Sequence, residues 1–303
     1  MKNINPFLWF DDGVEEAVNF YVSSFASAFE TSRKEKETNI SATSRYGDAM
    51  PHLKGKVMTV NFKLLGEEFI ALNGGPVKDF TFNPSFSFFV SCKTEDEVNK
   101  LFKKISDGGE IRMPLDKYPF SERFAWLDDK YGISWQINLS GDAPKINPFL
   151  WFDNKAEEAM NYYTSLFSSL GNKSSEIKKL SRFGVNENGP MGKVQHAVFS
   201  LNGQEYMAMD SSPFKFSPAA SLFINCDTQK EVDILWDKLL DGGNPMQCGW
   251  LTDKFGVTWQ VVPTILMKLM SDQDKKKATR VMQEMMKMVK IESNDLIKAY
   301  EEV

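Results

Sequence analysis

The sequence predicts an α+β protein made of two copies of one small domain joined head to tail, with a helical tail behind them. Three observations carry this expectation. Four blocks of sequence recur in the same order, each copy runs twice through a strand–helix–three-strand pattern, and residues 264–303 match nothing earlier.

The recurring blocks can be read directly. Residues 4–25, INPFLWFDDGVEEAVNFYVSSF, return at 146–167 as INPFLWFDNKAEEAMNYYTSLF. GKVMTVNFKLLGEEFIAL from Gly55 returns from Gly192, PSFSFFVSCKTEDEV from Pro84 returns from Pro218, and WLDDKYGISWQI from Trp126 returns from Trp250. The offset shrinks from 142 to 137, 134 and 124 residues, so the copies differ by deletions between blocks, where loops tolerate them. SGDAPK at 140–145 has the composition of a linker. The expected segments are 1–140, 145–263 and 264–303.

Each copy opens on the apolar and aromatic strand PFLWF. From Glu15 to Phe25, Ala17, Val18, Tyr21, Val22 and Phe25 fall at helical spacing. Val57–Leu64 alternates as a strand does, and Leu65-Gly66 offers a hairpin turn into the strand from Glu67 to Leu72. The order then restarts: Phe86–Val90 is a strand, and Thr94 with Glu97 three residues on forms a capping box. The helix they open runs to Asp107 and stops at Gly108-Gly109; further strands end in SWQINL. The tail reads as helices over Thr264–Met270, Asp274–Lys290 and Asn294–Glu301. Ala278, Val281, Met282, Met285, Met288 and Val289 share one face of the middle helix, which is expected to pack on its own domain or across a dimer interface.

Composition narrows the function. A net charge of −5 and a pI near 5.3 argue against a nucleic-acid partner, which needs a basic surface. No apolar run approaches the ~20 residues needed to span a bilayer, and MKNINPFLWF enters a strand where a secretory signal would show a longer apolar stretch. Cys92, Cys226 and Cys248 are odd in number and lack metal-binding spacing. A cytoplasmic protein is expected.

Several residues are candidates for chemistry. His196 lies on a strand whose counterpart carries Thr59, and is a candidate acid or base, although a lone strand histidine is more often structural. His52 reads as an exposed bystander in a loop. Cys248, in QCGW, lacks the adjacent base or cation that forms a thiolate. Asp210 answers to Asn73 at the end of a strand, where a polar group could face a cavity. Asp129-Lys130 and Asp253-Lys254 are expected to brace turns through Asx-type hydrogen bonds, and Glu15-Glu16 and Glu157-Glu158 suit the positive ends of helices. Trp9, Trp151, Trp126, Trp250, Trp135 and Trp259 recur at equivalent strand positions, some expected in the core and some lining a pocket.

The PFLWFD…EEA openings, the RYG and RFG elements at Arg45–Gly47 and Arg182–Gly184, LNGGP at Leu72–Pro76 and CGWLTDKFGVTWQVVP at Cys248–Pro263 resemble the PhnB-like family. That family falls in the vicinal oxygen chelate superfamily, with glyoxalase I, bleomycin-resistance proteins and extradiol dioxygenases. The resemblance implies tandem glyoxalase-like domains, each of two βαβββ modules whose curved mixed sheets close a cup around a ligand. It leaves open whether modules pair within a copy or between copies. Many members carry the description 3-demethylubiquinone-9 3-methyltransferase. The residues do not support that chemistry, because Gly74-Gly75, Gly108-Gly109 and Gly242-Gly243 lack the spacing of a nucleotide-binding loop.

In metal-dependent relatives, side chains on the first strand of each module and glutamates on the last strand hold a divalent ion. The resemblance places those positions at Asn5 or Pro6, Asn147 or Pro148, near Ser85 and Ala219, and at Gln136 and Gln260. Neutral amides and a proline are poor ligands for a divalent ion, so no metal and no cofactor is expected. The expected function is binding of a small organic molecule in an aromatic cup lined by Trp9, Asn73, Trp126, Gln136, Trp151, His196, Asp210, Trp250 and Gln260. The alternative is an enzyme of the superfamily with an altered metal or acid/base site in copy two, around His196, Asp210, Cys248 and Gln260. A third possibility is a structural pseudo-dimer of the two copies, alone or in a homodimer, with no ligand.

Overall fold

The computed structural model describes residues 4–30, 37–170, 173–185, 187 and 189–302; residues 1–3 and 303, the outermost of the expected segments, lie outside that range. The chain forms four units of strand, helix and three strands. The first holds β1 (Ile4–Phe10), α1 (Val14–Ala28), β2 (Asn39–Arg45), β3 (Val57–Leu64) and β4 (Glu67–Asn73). The second holds β5 (Phe86–Cys92), α2 (Glu95–Ile105), β6 (Glu110–Tyr118), β7 (Ser121–Asp128) and β8 (Ser134–Leu139). The third repeats the first as β9 (Lys145–Trp151), α3 (Ala156–Leu170), β10 (Glu176–Arg182), β11 (Val194–Leu201) and β12 (Gln204–Met209). The fourth has β13 (Ala220–Cys226), α4 (Gln229–Leu240), β14 (Asn244–Pro245), β15 (Trp250–Thr252) and β16 (Thr258–Pro263). Three tail helices follow: α5 (Thr264–Met270), α6 (Lys275–Met285) and α7 (Ser293–Glu301).

Local chemistry sets these bounds. Thr94 accepts from the Glu97 amide at 3.2 Å while the Glu97 carboxylate accepts from the Thr94 amide at 3.2 Å, so α2 starts on a complete capping box. It ends at Ile105, short of the expected Asp107, ahead of Gly108 at φ 75°. Leu65 at φ 52° and Gly66 at φ 91° turn β3 into β4, the two left-handed residues that a tight hairpin needs. The middle tail helix stops at Met285 rather than Lys290, and the segment beyond it runs along the fourth unit.

The units pair between copies. One eight-stranded sheet, called sheet A here, has the order β14-β15-β16-β13-β1-β4-β3-β2, and sheet B has the order β10-β11-β12-β9-β5-β8-β7-β6. The joints are antiparallel: β1 meets β13 with Ile4 opposite Ile224, and β5 meets β9 with Phe86 opposite Leu150. Sheet A therefore takes its halves from the first and last units, and sheet B from the two in between. The two copies make an internal pseudo-dimer in which neither copy builds a whole sheet.

Strand alternation sorts side chains onto two faces. In β1, Ile4, Leu8 and Phe10 enter the main core, while Phe7 and Trp9 face the other way. The main core lies between sheets and helices: Tyr21 and Phe25 of α1 meet Trp135 of β8 at 5.6 and 5.4 Å, Tyr163 of α3 meets Trp259 of β16 at 5.2 Å, and Phe69 touches Phe88 across the sheets at 5.1 Å. Two concave faces are left, one per sheet. No helix among the described residues is long and apolar enough to cross a membrane.

Candidate functional site

The two concave faces carry the same aromatic cluster in different surroundings. In sheet A, Trp9 of β1 packs edge-on against Trp250 of β15 at 5.7 Å and against Phe80 at 5.2 Å. In sheet B, Trp151 of β9 meets Trp126 of β7 at 5.1 Å and Phe214 at 5.9 Å. The indoles are anchored: Trp9 donates to the Gly75 carbonyl at 2.8 Å, Trp151 to the Asp210 carbonyl at 2.9 Å, and Trp126 to Ser134 Oγ at 2.9 Å. Gly74 lies flat under the Trp9 ring, where a Cβ would collide with the indole.

The tail closes the cup of sheet A. Leu266, Leu269, Val281, Met288, Ile291 and Leu296 join Phe7, Phe223, Trp250 and Val262 in one apolar cluster, with Trp9 and Phe80 at its margin. The backbone is tied down as well, since the Cys248 amide donates to the Met288 carbonyl at 2.8 Å and the Gly249 amide to Val289 at 2.7 Å. The tail thus packs on its own chain, and Trp250 is left 8% exposed. It docks beside β14 and β15, which are two and three residues long where β6 and β7 have nine and eight. The shortest offset between the repeats falls at this hairpin.

Among the described residues, none covers the cup of sheet B in this way. Phe89, Trp126, Trp151 and Phe214 stay half-buried, Phe124 and Phe149 form a buried floor beside Phe89, and Phe120 at the tip of the β6–β7 hairpin is 66% exposed. Two surface depressions, of about 320 and 260 Å³, lie away from both cups. Their linings are polar and contain no aromatic ring: one lies beside Asn154, Glu157 and Lys193, the other around Asn5, Glu67 and Gln204. Ring-lined concavity is the better criterion for an organic ligand.

The positions where metal-dependent relatives hold an ion carry neutral groups that bond one another. Gln136 donates to Ser87 Oγ at 3.0 Å and Gln260 to Ser221 Oγ at 2.9 Å, both pairs buried. The serines of the second and fourth units that meet the glutamines are thus two residues past Ser85 and Ala219, the positions expected from the sequence. Asn147 donates to the Glu205 carbonyl at 3.1 Å, and its Oδ1 is buried with no partner among the described residues. No group of three or more His, Cys, Asp or Glu side chains converges among the described residues. This donor set does not fit a divalent cation, which needs charge from its ligands.

The expected cluster in copy two does not assemble, because pairing between copies separates its members. Gln260 and Cys248 lie on the sheet A side and His196 on sheet B. Asp210 faces away from the cup: its Oδ1 accepts from the Ala156 amide at 2.8 Å and its Oδ2 from Val194 at 3.0 Å, so it caps α3 and clamps it to β11. Asn73, its counterpart, donates to the Val57 carbonyl at 3.3 Å and also braces the strand. Cys248 sits at φ 61° under the tail, and burial pushes its thiol up, the reverse of nucleophile activation. His196 is half-buried on the concave face; burial, then the charge of Lys179, pulls its pKa below 6.5, so the ring is neutral at pH 7. His52 is exposed. Trp9, Trp250 and Gln260 belong to the closed cup; Trp126, Gln136, Trp151 and His196 share the uncovered face.

Asp129 and Asp253 are fully engaged, as turn braces. Asp253 accepts from the Phe255 and Val257 amides at 2.9 and 3.0 Å, from Trp259 Nε1 at 2.8 Å and from the Tyr163 hydroxyl at 2.6 Å. Burial still pushes its carboxyl up against these bonds. Asp129 accepts from the Tyr131 and Ile133 amides and from Trp135 Nε1, while the Tyr21 hydroxyl falls short of it and has no hydrogen-bond partner among the described residues.

Sequence reasoning missed the polar pair beside the uncovered rings. Arg112 Nε and Nη2 both bond Asp128 Oδ2, at 2.9 and 2.5 Å, and the guanidinium lies over the Phe214 ring at 5.4 Å. Counting from the glycine pairs, Met246 stands where Arg112 does, and counting from Trp126 and Trp250, Thr252 stands where Asp128 does. That asymmetry between the repeats was the available signal.

A family model described as 3-demethylubiquinone-9 3-methyltransferase matches residues 2–138 and again 144–262. The PhnB protein of Bacillus cereus, described as a 3-demethylubiquinone-9 3-methyltransferase, is 40% identical over 46% of this chain and 100% of its own, with a TM-score of 0.40. Glyoxalase I of Zea mays is 10% identical over 85% of this chain and 91% of its own, with a TM-score of 0.56. A mutant form of the maize enzyme, in another structure, is 13% identical over 88% of this chain and 96% of its own, with a TM-score of 0.53. The two maize structures share the fold over both copies. Among curated proteins none matches.

Proposed function

The chain belongs to the 3-demethylubiquinone-9 3-methyltransferase family, PhnB-like proteins of the vicinal oxygen chelate superfamily, and from that premise we propose that the aromatic cup of sheet B binds a small organic molecule without the superfamily's usual metal. The observation that carries the reading is the contrast between the cups. Both have the same three rings, yet the described tail residues pack on only one set, so Trp126, Trp151 and Phe214 form a half-buried apolar surface with the neutral Gln136–Ser87 pair on the same sheet. Such a surface suits a flat, mainly apolar molecule oriented by a few hydrogen bonds.

Methyl transfer finds no support in the residues: Gly108 and Gly242, at φ 75° and 76°, follow helices α2 and α4 and do not cradle a nucleotide. An acid/base site in copy two finds none either, since its four members are split between the sheets. The buried thiols of Cys92 and Cys226 support a reducing, cytoplasmic setting. The pseudo-dimer supplies both cups from one chain, so a homodimer is not required to build the site.

The test is a thermal-shift screen of planar aromatic compounds, with hits followed by quenching of tryptophan emission in the presence and absence of chelator. Binding indifferent to chelator and abolished by Trp151→Ala is expected. Binding that needs a divalent ion, or that survives Trp151→Ala, removes the proposal.

A further inference from the structure

We propose that the ligand of the sheet B cup presents a planar ring edge with a hydrogen-bond donor beside an acceptor, as in a lactam or a carboxamide, and that Asp128 and Arg112 read that edge. This deepens the binding reading above and rests on it.

The pair is bonded in an unusual way. Arg112 directs Nε and Nη2 to a single oxygen, Asp128 Oδ2, where a two-oxygen fork is the usual arrangement. Asp128 Oδ1 is left buried with no hydrogen-bond partner among the described residues, and Nη1 of the partly exposed Arg112 makes no hydrogen bond to any of them. A buried carboxylate oxygen without a donor is costly, and native proteins rarely leave one. One unpartnered acceptor and one further donor therefore belong to the same ion pair.

Their surroundings place them against a ring. Phe214 carries the Arg112 guanidinium on its face at 5.4 Å and touches Trp151 at 5.9 Å, and Trp151 touches Trp126 at 5.1 Å. Trp126 is two residues from Asp128 on the same face of β7, and Ser134, opposite Asp128, holds its indole. The charges of Arg112 and Asp128 offset each other, so the site has no net charge to select an ion. An edge that donates to Oδ1 and accepts from Nη1 completes both groups while its ring lies on the aromatic wall. The closed cup supplies the internal comparison: the same three rings are present there, but Met246 and Thr252 replace the pair, and the tail fills the space.

The experiment uses the full chain and three probes: 1-isoquinolinone, its N-methyl derivative and 1-naphthoate, each titrated by tryptophan quenching and by calorimetry. The parent lactam is expected to bind roughly ten- to a hundred-fold more tightly than the N-methyl compound, the worth of one hydrogen bond to a charged acceptor. Asp128→Ala is expected to erase that difference, with Arg112→Gln weakening both. Equal affinity of the two lactams for the wild type overturns the inference with no variant needed. Tighter binding of 1-naphthoate than of 1-isoquinolinone overturns it too, because the pair would then open to take an anion. In either case, loss of binding in Trp151→Ala leaves the aromatic cup standing; failure of all three probes to bind removes both readings.

Discussion

Ile291→Ala tests the seal over sheet A where sheet and tail meet. Ile291 is fully buried, and its Cγ1 is the side-chain atom nearest to where a Cβ on Gly249 would stand. Truncating a buried isoleucine to alanine costs about 2–5 kcal/mol. Because the tail forms a cluster separate from the main core, that cost falls on docking of the tail rather than on the sheets. The reporters are the Cys248 and Gly249 amides, which donate to Met288 and Val289 of the tail. Their protection from hydrogen exchange is expected to fall by roughly 30- to 4,000-fold, which is the same 2–5 kcal/mol expressed as an opening equilibrium. Amides joining β5 to β8 and β9 are expected to keep their rates, and acrylamide quenching of Trp250 is expected to rise. A uniform loss across sheet B would show that tail and sheets unfold as one unit, and unchanged protection at 248 and 249 would show that the tail is not held by this contact. Either result refutes the reasoning.

Asp253→Ala orphans four buried donors and Asp129→Ala three, so each loses on the order of 3 kcal/mol or more and the first should lose more; urea midpoints in the opposite order would contradict the bond assignment. The depressed pKa of His196 has a sign that can be checked. The unfolded chain takes up its proton near pH 6.5 and the folded chain only at lower pH, so stability falls as pH drops from about 6.5 through the folded value. His196→Gln should flatten that part of the stability–pH curve, and a ring that titrates by NMR at or above 6.5 would show that burial does not dominate.

Much of the fold was legible because duplication supplies its own control. INPFLWF twice, and WLDDKYGISWQ against WLTDKFGVTWQ, align strands and turns without reference to any other protein. The partner of each unit was not legible: the inward pattern of β1 is satisfied equally by β5 or β13, and only the assembled sheets choose β13. The amphipathic tail likewise announces that it packs, but not upon which face. The same gap explains the site. Gln136 and Trp151 were placed on a cup through the family resemblance, whereas His196, Asp210, Cys248 and Gln260 were grouped by sharing a copy, and chain proximity is not proximity here. Nothing local in the sequence marks Arg112 and Asp128, because Phe214, which lies beneath the guanidinium, is about a hundred residues away.

The pairing of units between copies also sets an order of synthesis. Sheet B is drawn from one continuous stretch, Phe86 to Met209, with its strands on either side of the linker, whereas sheet A is drawn from the two flanks of that stretch. On the ribosome, sheet B can close while β13 to β16 are still untranslated. Until then β1 waits with a bare hydrogen-bonding edge, the feature that invites pairing with a neighbouring chain. Nascent-chain proteolysis should therefore find the middle of the protein resistant before its beginning, inverting the usual first-made, first-folded sequence.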